Sequence, residues 1–148
     1  MAADADVPAL AALRRQSSVE QLGTVDDPDF EQQFREWYEA ESSRRVTWLA
    51  EVDGDPVGMV SLAIFARMPR PGRLSGQWGY LGNAYVRADH RDRGVGTALI
   101  TALLDYADAH RLARVVLSPS ARSVPLYRRM GFGPADMLLA RRLPDGQV

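Results

Sequence analysis

Cysteine and lysine are both missing from this 148-residue chain. Without cysteine there are no disulfides, no thiolate metal ligands and no cysteine nucleophile. Without lysine there is no Schiff base and no Walker-type phosphate loop. All eighteen basic residues are arginine. Histidine is scarce too: His90 and His110 stand twenty residues apart, and no metal is expected. No apolar run approaches the ~20 residues of a membrane span. A formal net charge of -1 gives no global attraction to nucleic acid or to a membrane surface, and neither partner is expected. The opening stretch MAADADVPAL has no basic n-region and does not read as a signal peptide. A cytoplasmic enzyme or binding domain is the expectation.

What is present suits one domain over 1–148, long enough to bury a core. Asp6-Val7-Pro8 opens a first helix, with Leu10 and Leu13 facing inward and Gly23-Thr24 ending it. Asp27-Pro28 starts a second, whose apolar face is Phe30, Phe34, Trp37 and Tyr38. Residues 46–52 and 56–65 read as strands joined at Asp53-Gly54, a hairpin turn. Residues 66–77 hold two prolines, two glycines and three arginines and read as a loop. Residues 78–86 form a strand, about 95–110 a helix, 113–118 a short strand and 120–130 a short helix ended by Gly131. A last strand is expected over about 137–143. The strand–helix–strand unit from 78 to 118 implies parallel neighbours and a right-handed crossover. The fold class is therefore α/β, a mixed sheet with helices on both faces.

The informative stretch is ADHRDRGVGTALITAL, residues 88–103. Gly94 and Gly96 stand at the mouth of a helix, where backbone N–H groups are unpaired and the dipole attracts anions. With no Cβ in the way, an anionic group can approach that backbone, and Arg91 and Arg93 add charge. On its own the pattern also fits a turn that merely caps a helix. A dinucleotide fingerprint is set aside, because Leu99 stands where the third glycine belongs.

Arg91-Asp92-Arg93-Gly94-Val95-Gly96 resembles the arginine/glutamine-x-x-glycine-x-glycine/alanine motif of the GNAT superfamily of acetyl-CoA-dependent N-acetyltransferases. NAYVRADHRDRGVGTALI looks like that family's fourth strand, pyrophosphate loop and third helix, and VPLYRRMGF like its segment with a tyrosine four residues before glycine-phenylalanine. Element order agrees from about residue 5 to residue 143. The resemblance implies a GNAT-like fold whose strands 78–86 and 113–118 splay apart, with acetyl-CoA as co-substrate and a primary amine, on a small molecule or peptide, as acceptor. By the same resemblance, backbone groups at Tyr85 and Val86 hold the thioester arm, and Val86 N–H donates to the oxyanion. Residues Arg91, Asp92, Arg93, Gly94, Val95, Gly96 and Thr97 cradle the pyrophosphate. Ser120 stands where the family often has asparagine and can bond the arm. Tyr127 is the expected general acid, since a phenol is protonated at pH 7.

Two features depart from the family. No glutamate lies in strand 78–86; the polar residue there is Asn83, which can orient a water or the substrate but cannot take a proton. Glu36, Glu39 and Glu41 could line the acceptor site or simply face solvent, and a water-relayed proton loss is the default. The acceptor site is expected between residues 14–45 and the 66–78 loop, with Arg67, Arg70 and Arg73 to attract an anion and Trp78 and Tyr80 as a wall. The family's first strand is missing ahead of Asp6, or the start lies upstream of Met1. An uncovered sheet edge favours a homodimer. A non-catalytic acyl-CoA-binding or sensor module is the alternative function.

Overall fold

The structure is a computed structural model that describes residues 1–73 and 76–141. It divides into two compact units, residues 1–118 and 119–148.

The first unit carries helices α1 (Val7–Leu22) and α2 (Phe30–Glu41), strands β1 (Arg45–Val52), β2 (Asp55–Ala66) and β3 (Gln77–Val86), helix α3 (Val95–Ala109) and strand β4 (Val115–Val116). The sheet runs in order β1-β2-β3-β4. β1, β2 and β3 pair antiparallel, and β4 lies parallel to β3. The β1–β2 hairpin closes at Asp53-Gly54, with φ of 51° and 79°. Two successive positive φ angles make the tight turn that matches strand twist, which is why aspartate-glycine signals it.

Neighbouring strand residues point to opposite faces, and the two faces bind different helices. Leu49, Met59 and Tyr85 pack with Leu10 and Leu13 of α1 and with Phe34 and Tyr38 of α2. On the other face Trp48 meets Tyr106 of α3 edge-on, ring centroids 5.5 Å apart. Leu99, Ile100, Leu103 and Ala107 make the buried stripe of α3. Each fully buried leucine here contributes roughly 2–3 kcal/mol. Gly79 gives the packing its tightest spot: a Cβ there would sit 2.5 Å from Leu62 Cδ1 and 3.3 Å from Leu112 Cδ1.

β3 is bent by a bulge. Met59 pairs with Tyr85 and Ser61 with Gly82, so β3 spends one more residue than β2 over this span. The extra residue brings Asn83 to φ 53°, a left-handed conformation that asparagine tolerates better than most side chains.

The strand expected over 113–118 shrinks to two paired residues, Gly79 with Val115 and Tyr80 with Val116. Beyond Tyr80, β3 continues to Val86 with no β4 partner. The chain ahead of α1 forms a single 3-10 turn, Asp4–Asp6. Among the described residues no strand precedes β1, but Ala2 N–H donates to the Thr47 carbonyl on its edge, at 2.8 Å.

The second unit holds helix α4 (Val124–Arg129), followed by Gly131 at φ 90°. The Phe132 N–H returns to the Tyr127 carbonyl at 3.0 Å. The expected last strand is not formed: residues 137–141 make a turn and irregular chain, and 142–143 lie outside the described residues. Met137 and Leu139 are exposed there, so no apolar face holds a strand in place.

Candidate active site

The C-terminal end of β3, the 87–94 loop and the first turn of α3 form one continuous stretch of chain. Arg87 N–H donates to the Val57 carbonyl at 2.8 Å. Strand alternation then turns the N–H and C=O of Val86 away from β2, toward the side that β4 leaves open. The Val86 carbonyl accepts from Arg91 Nε at 2.9 Å. Arg91 Nη2 also pairs with Glu20 Oε2 at 2.6 Å, and its guanidinium lies 5.7 Å from the Tyr85 ring centre. The Tyr85 hydroxyl donates to Glu20 Oε1 at 2.6 Å. One carboxylate of α1 thus ties together a strand residue and a loop residue. Burial, and then the bond to Glu20, push the Tyr85 phenol up to about 12. The side chain of Arg91 is therefore spent on fixing the end of β3, while Arg93 is exposed.

The loop beyond is shaped for an anion. Asp92 and Gly94 both take positive φ, 58° and 84°, and Gly94 is the N-cap of α3. Apart from the adjoining backbone, no atom of the described residues lies within 4 Å of the place a Gly94 Cβ would occupy. The first amide of this helix that turns back into the chain is Ala98 N–H, bonded to the Gly94 carbonyl. Among the described residues, nothing accepts from the amides of Asp92 to Thr97. Exposed donors at a helix N-terminus, under a bare glycine, fit a phosphate or pyrophosphate group. Val95 covers Gly58 rather than the loop: its Cγ1 would lie 3.3 Å from a Cβ at that position.

Asn83 stands at the bulge and donates from Nδ2 to Ser61 Oγ at 3.3 Å. Ser61 Oγ donates on to the Gly82 carbonyl at 3.3 Å and accepts from Arg45 Nη1 at 3.4 Å. Arg45 pairs with Glu41 at 3.2 Å and lies over the Trp37 ring at 5.0 Å. Glu41 also binds Arg44, and that bond holds its carboxyl below the usual range, with Arg45 assisting. Neither Ser61 nor Arg45 stands out in the sequence, because the network joins residues 16 to 22 positions apart.

Asn83 and Ser61 line a cavity of about 350 Å³ between the α1/α2 layer and the sheet. Its walls are largely apolar, with Phe30, Phe34, Trp37 and Tyr38 of α2 facing Leu10 and Met59. Arg14, Gln33 and Thr47 complete the polar part. The apolar face expected for α2 turns this way, yet no residue of α2 is fully buried. Of the surroundings expected for the acceptor, the 14–45 region lines this cavity, through Arg14, Gln33 and the α2 aromatics. Arg67, Arg70, Arg73, Trp78 and Tyr80 do not line the cavity. Trp78 instead stacks on Phe65, centroids 4.6 Å apart. None of Glu36, Glu39 and Glu41 lines it either.

In the second unit Tyr127 is buried, and its ring meets Phe132 edge-on at 5.6 Å. Burial raises the pKa of its phenol above the ordinary value. Ser120 Oγ lies 3.0 Å from Ser123 Oγ, and the Ser120 carbonyl accepts from Ser123, closing the turn that leads into α4. Among the described residues no group of three or more histidines and carboxylates could hold a metal ion, and no helix is long and apolar enough to cross a membrane.

Residues 10–132 match the sequence model of the acetyltransferase (GNAT) family. Over 79 residues the chain is 33% identical to a glucosamine 6-phosphate N-acetyltransferase of Trypanosoma brucei brucei, a match covering 53% of this chain and 52% of that protein. Over 53 residues it is 40% identical to an L-methionine sulfoximine/L-methionine sulfone acetyltransferase of Pseudomonas aeruginosa, covering 34% of this chain and 31% of that one. The chain thus spans about half or less of these curated relatives. Its fold matches a crystal structure of a predicted acetyltransferase with acetyl-CoA from Clostridium acetobutylicum, with a TM-score of 0.77 and 21% identity over 99% of this chain and 96% of that one.

Proposed function

We propose, from the premise that this chain belongs to the acetyltransferase (GNAT) family, that it moves the acetyl group of acetyl-CoA to a primary amine by direct attack. The observation that carries this is the open side of β3: its ladder with β4 stops at Tyr80, and the strand then runs into a loop of free amides at the mouth of α3. That arrangement suits an extended amide-bearing arm ending in a pyrophosphate. The whole chain, 1–148, is taken as one such domain.

Bound acetyl-CoA supplies an activated acyl carbon. The residues of the chain bind, orient and move protons around it. The free amides of 92–97 hold the pyrophosphate, beside an Arg91 N–H that already bonds the Ala88 carbonyl at 3.4 Å, with Arg93 adding charge, and Ser120 and the backbone at Tyr85 and Val86 hold the arm. Val86 N–H donates to the acyl oxygen as it gains negative charge, and one such donor is worth ~3 kcal/mol. Asn83 orients the amine or a water. As the new C–N bond forms and the C–S bond breaks, Tyr127 gives its proton to the departing sulfur. Its raised pKa supports this role, because it keeps the phenol in the protonated form that can donate. The amine loses its extra proton to water.

Among the described residues no carboxylate lines the cavity, and this single fact favours the second reading, a non-catalytic acyl-CoA-binding module. Thermal unfolding with acetyl-CoA, followed by thiol release with a panel of amines, separates the two. A shift with release supports the transferase; a shift without release supports the module; no shift at millimolar acetyl-CoA refutes both. The edge of β1 meets a bond from Ala2 at Thr47, and pairing of its remainder with a second copy is proposed as the route to a homodimer, which light scattering tests.

A further inference from the structure

We infer that the acceptor is a small amine that carries its own carboxylate and a bulky apolar side chain, the chemistry of a free hydrophobic α-amino acid. The inference rests on the proposed transfer reaction and names the occupant of the cavity above Asn83.

Three observations point there. First, size: about 350 Å³ lies at the low end of the ~300–1,000 Å³ typical of ligand sites, which suits a compact molecule. Second, the wall: Phe30, Phe34 and Trp37 line the cavity, Phe34 at the edge of the core cluster, and Trp37 keeps 38% of its surface exposed. An apolar body placed against them recovers the burial that α2 lacks. Third, charge: Arg14 lines the cavity, and among the described residues its guanidinium has no hydrogen bond or ion pair. Arg45, the other cation near this floor, is already held by Glu41. Among the described residues no aspartate or glutamate lines the space. A second ammonium on the acceptor would find no partner there, whereas a carboxylate finds Arg14. The amine end is set by Asn83 and Ser61, since Asn83 is three residues from Val86 on the same strand. Without an anionic neighbour, nothing in the cavity holds that amine in its charged form.

The experiment uses the full chain and thiol release from acetyl-CoA. Acetyl-CoA is first shown to raise the unfolding temperature; failure at that step refutes the transferase itself and the inference with it. The acceptors are L-phenylalanine, L-leucine, phenethylamine (the same body without the carboxylate), spermidine and glucosamine 6-phosphate. L-phenylalanine or L-leucine should exceed phenethylamine and spermidine in kcat/KM by roughly tenfold or more, the worth of one charge-assisted pair. In Arg14→Gln the ratio of KM for L-phenylalanine to KM for phenethylamine should rise by about the same factor, and Arg14→Lys should restore part of it. Circular dichroism and the unfolding temperature confirm that both variants fold. If phenethylamine matches L-phenylalanine, if Arg14→Gln leaves that ratio unmoved, or if spermidine or the sugar phosphate is the best acceptor, the inference is overturned while the transferase stands.

Discussion

Gly94 offers the sharpest test of the phosphate cradle. It holds φ 84° at the N-cap of α3, and the place of its missing Cβ is open. Any L-residue there costs ~1–2 kcal/mol for the left-handed backbone. For a chain of this size that lowers the unfolding temperature by roughly 2–8 °C. Gly94→Ala and Gly94→Glu share this cost, so the difference between them isolates charge. A carboxylate about 6 Å from a phosphate, at an effective dielectric between that of water and ~20, opposes it by roughly 1–3 kcal/mol. Gly94→Glu should therefore bind acetyl-CoA about 5- to 150-fold more weakly than Gly94→Ala at low salt. The gap should narrow as salt rises, because these charges are solvent-exposed. The assay is unfolding temperature against acetyl-CoA concentration. In the unmutated chain a saturation of 100 Kd adds ~2.7 kcal/mol, or roughly 5–11 °C. Equal affinity of the two variants at every salt concentration would mean that no anion lies over Gly94, and the cradle would be refuted.

Four further outcomes are expected of the same molecule. Tyr127→Phe should lower turnover by ~10²-fold with little change in acetyl-CoA affinity; unchanged turnover, measured by thiol release, removes the general-acid role. Glu20→Gln should raise the KM for acetyl-CoA more than it lowers kcat, because Arg91 loses its charged partner while Val86 keeps its chemistry; steady-state kinetics decides. Tyr85 has its folded pKa raised from 10.0 to about 12. The fold therefore favours its neutral form, a contribution fully present below pH 10 and lost as pH rises toward 12. Tyr38 and Tyr127 are raised too, so alkaline unfolding curves should steepen above pH 10, and Tyr85→Phe should flatten part of that loss. Gly79→Ala should destabilise by ~1–3 kcal/mol through contact with Leu62, read from denaturant midpoints.

Local chemistry was legible in the sequence. Asp53-Gly54 marks its turn because the turn needs two positive φ angles. Val95 to Ala109 forms a helix because Leu99 and Leu103 recur on one side, where both are buried. Periodicity marked the α2 aromatics as one apolar face but could not tell a face that packs from a face that lines a hollow. Nor could an apolar run at 113–118 say how far its neighbour would stay alongside; two residues pair. The ties among Glu20, Tyr85 and Arg91 span 65 and 71 positions, a distance at which spacing carries no signal. Arg91, counted in advance among the phosphate binders, has its side chain engaged by that tie.

The short ladder between β3 and β4 also has a kinetic signature. The amides of 81–86 that turn toward the gap have no β4 carbonyl to hold them, while those that turn to β2 are paired along the same strand. In deuterated water the first group should exchange through small local openings and the second only through much rarer, larger ones. A strand in the middle of a sheet would thus take up deuterium quickly on one side and slowly on the other. A molecule filling the gap would slow the quick set and leave the β1–β2 hairpin as it was.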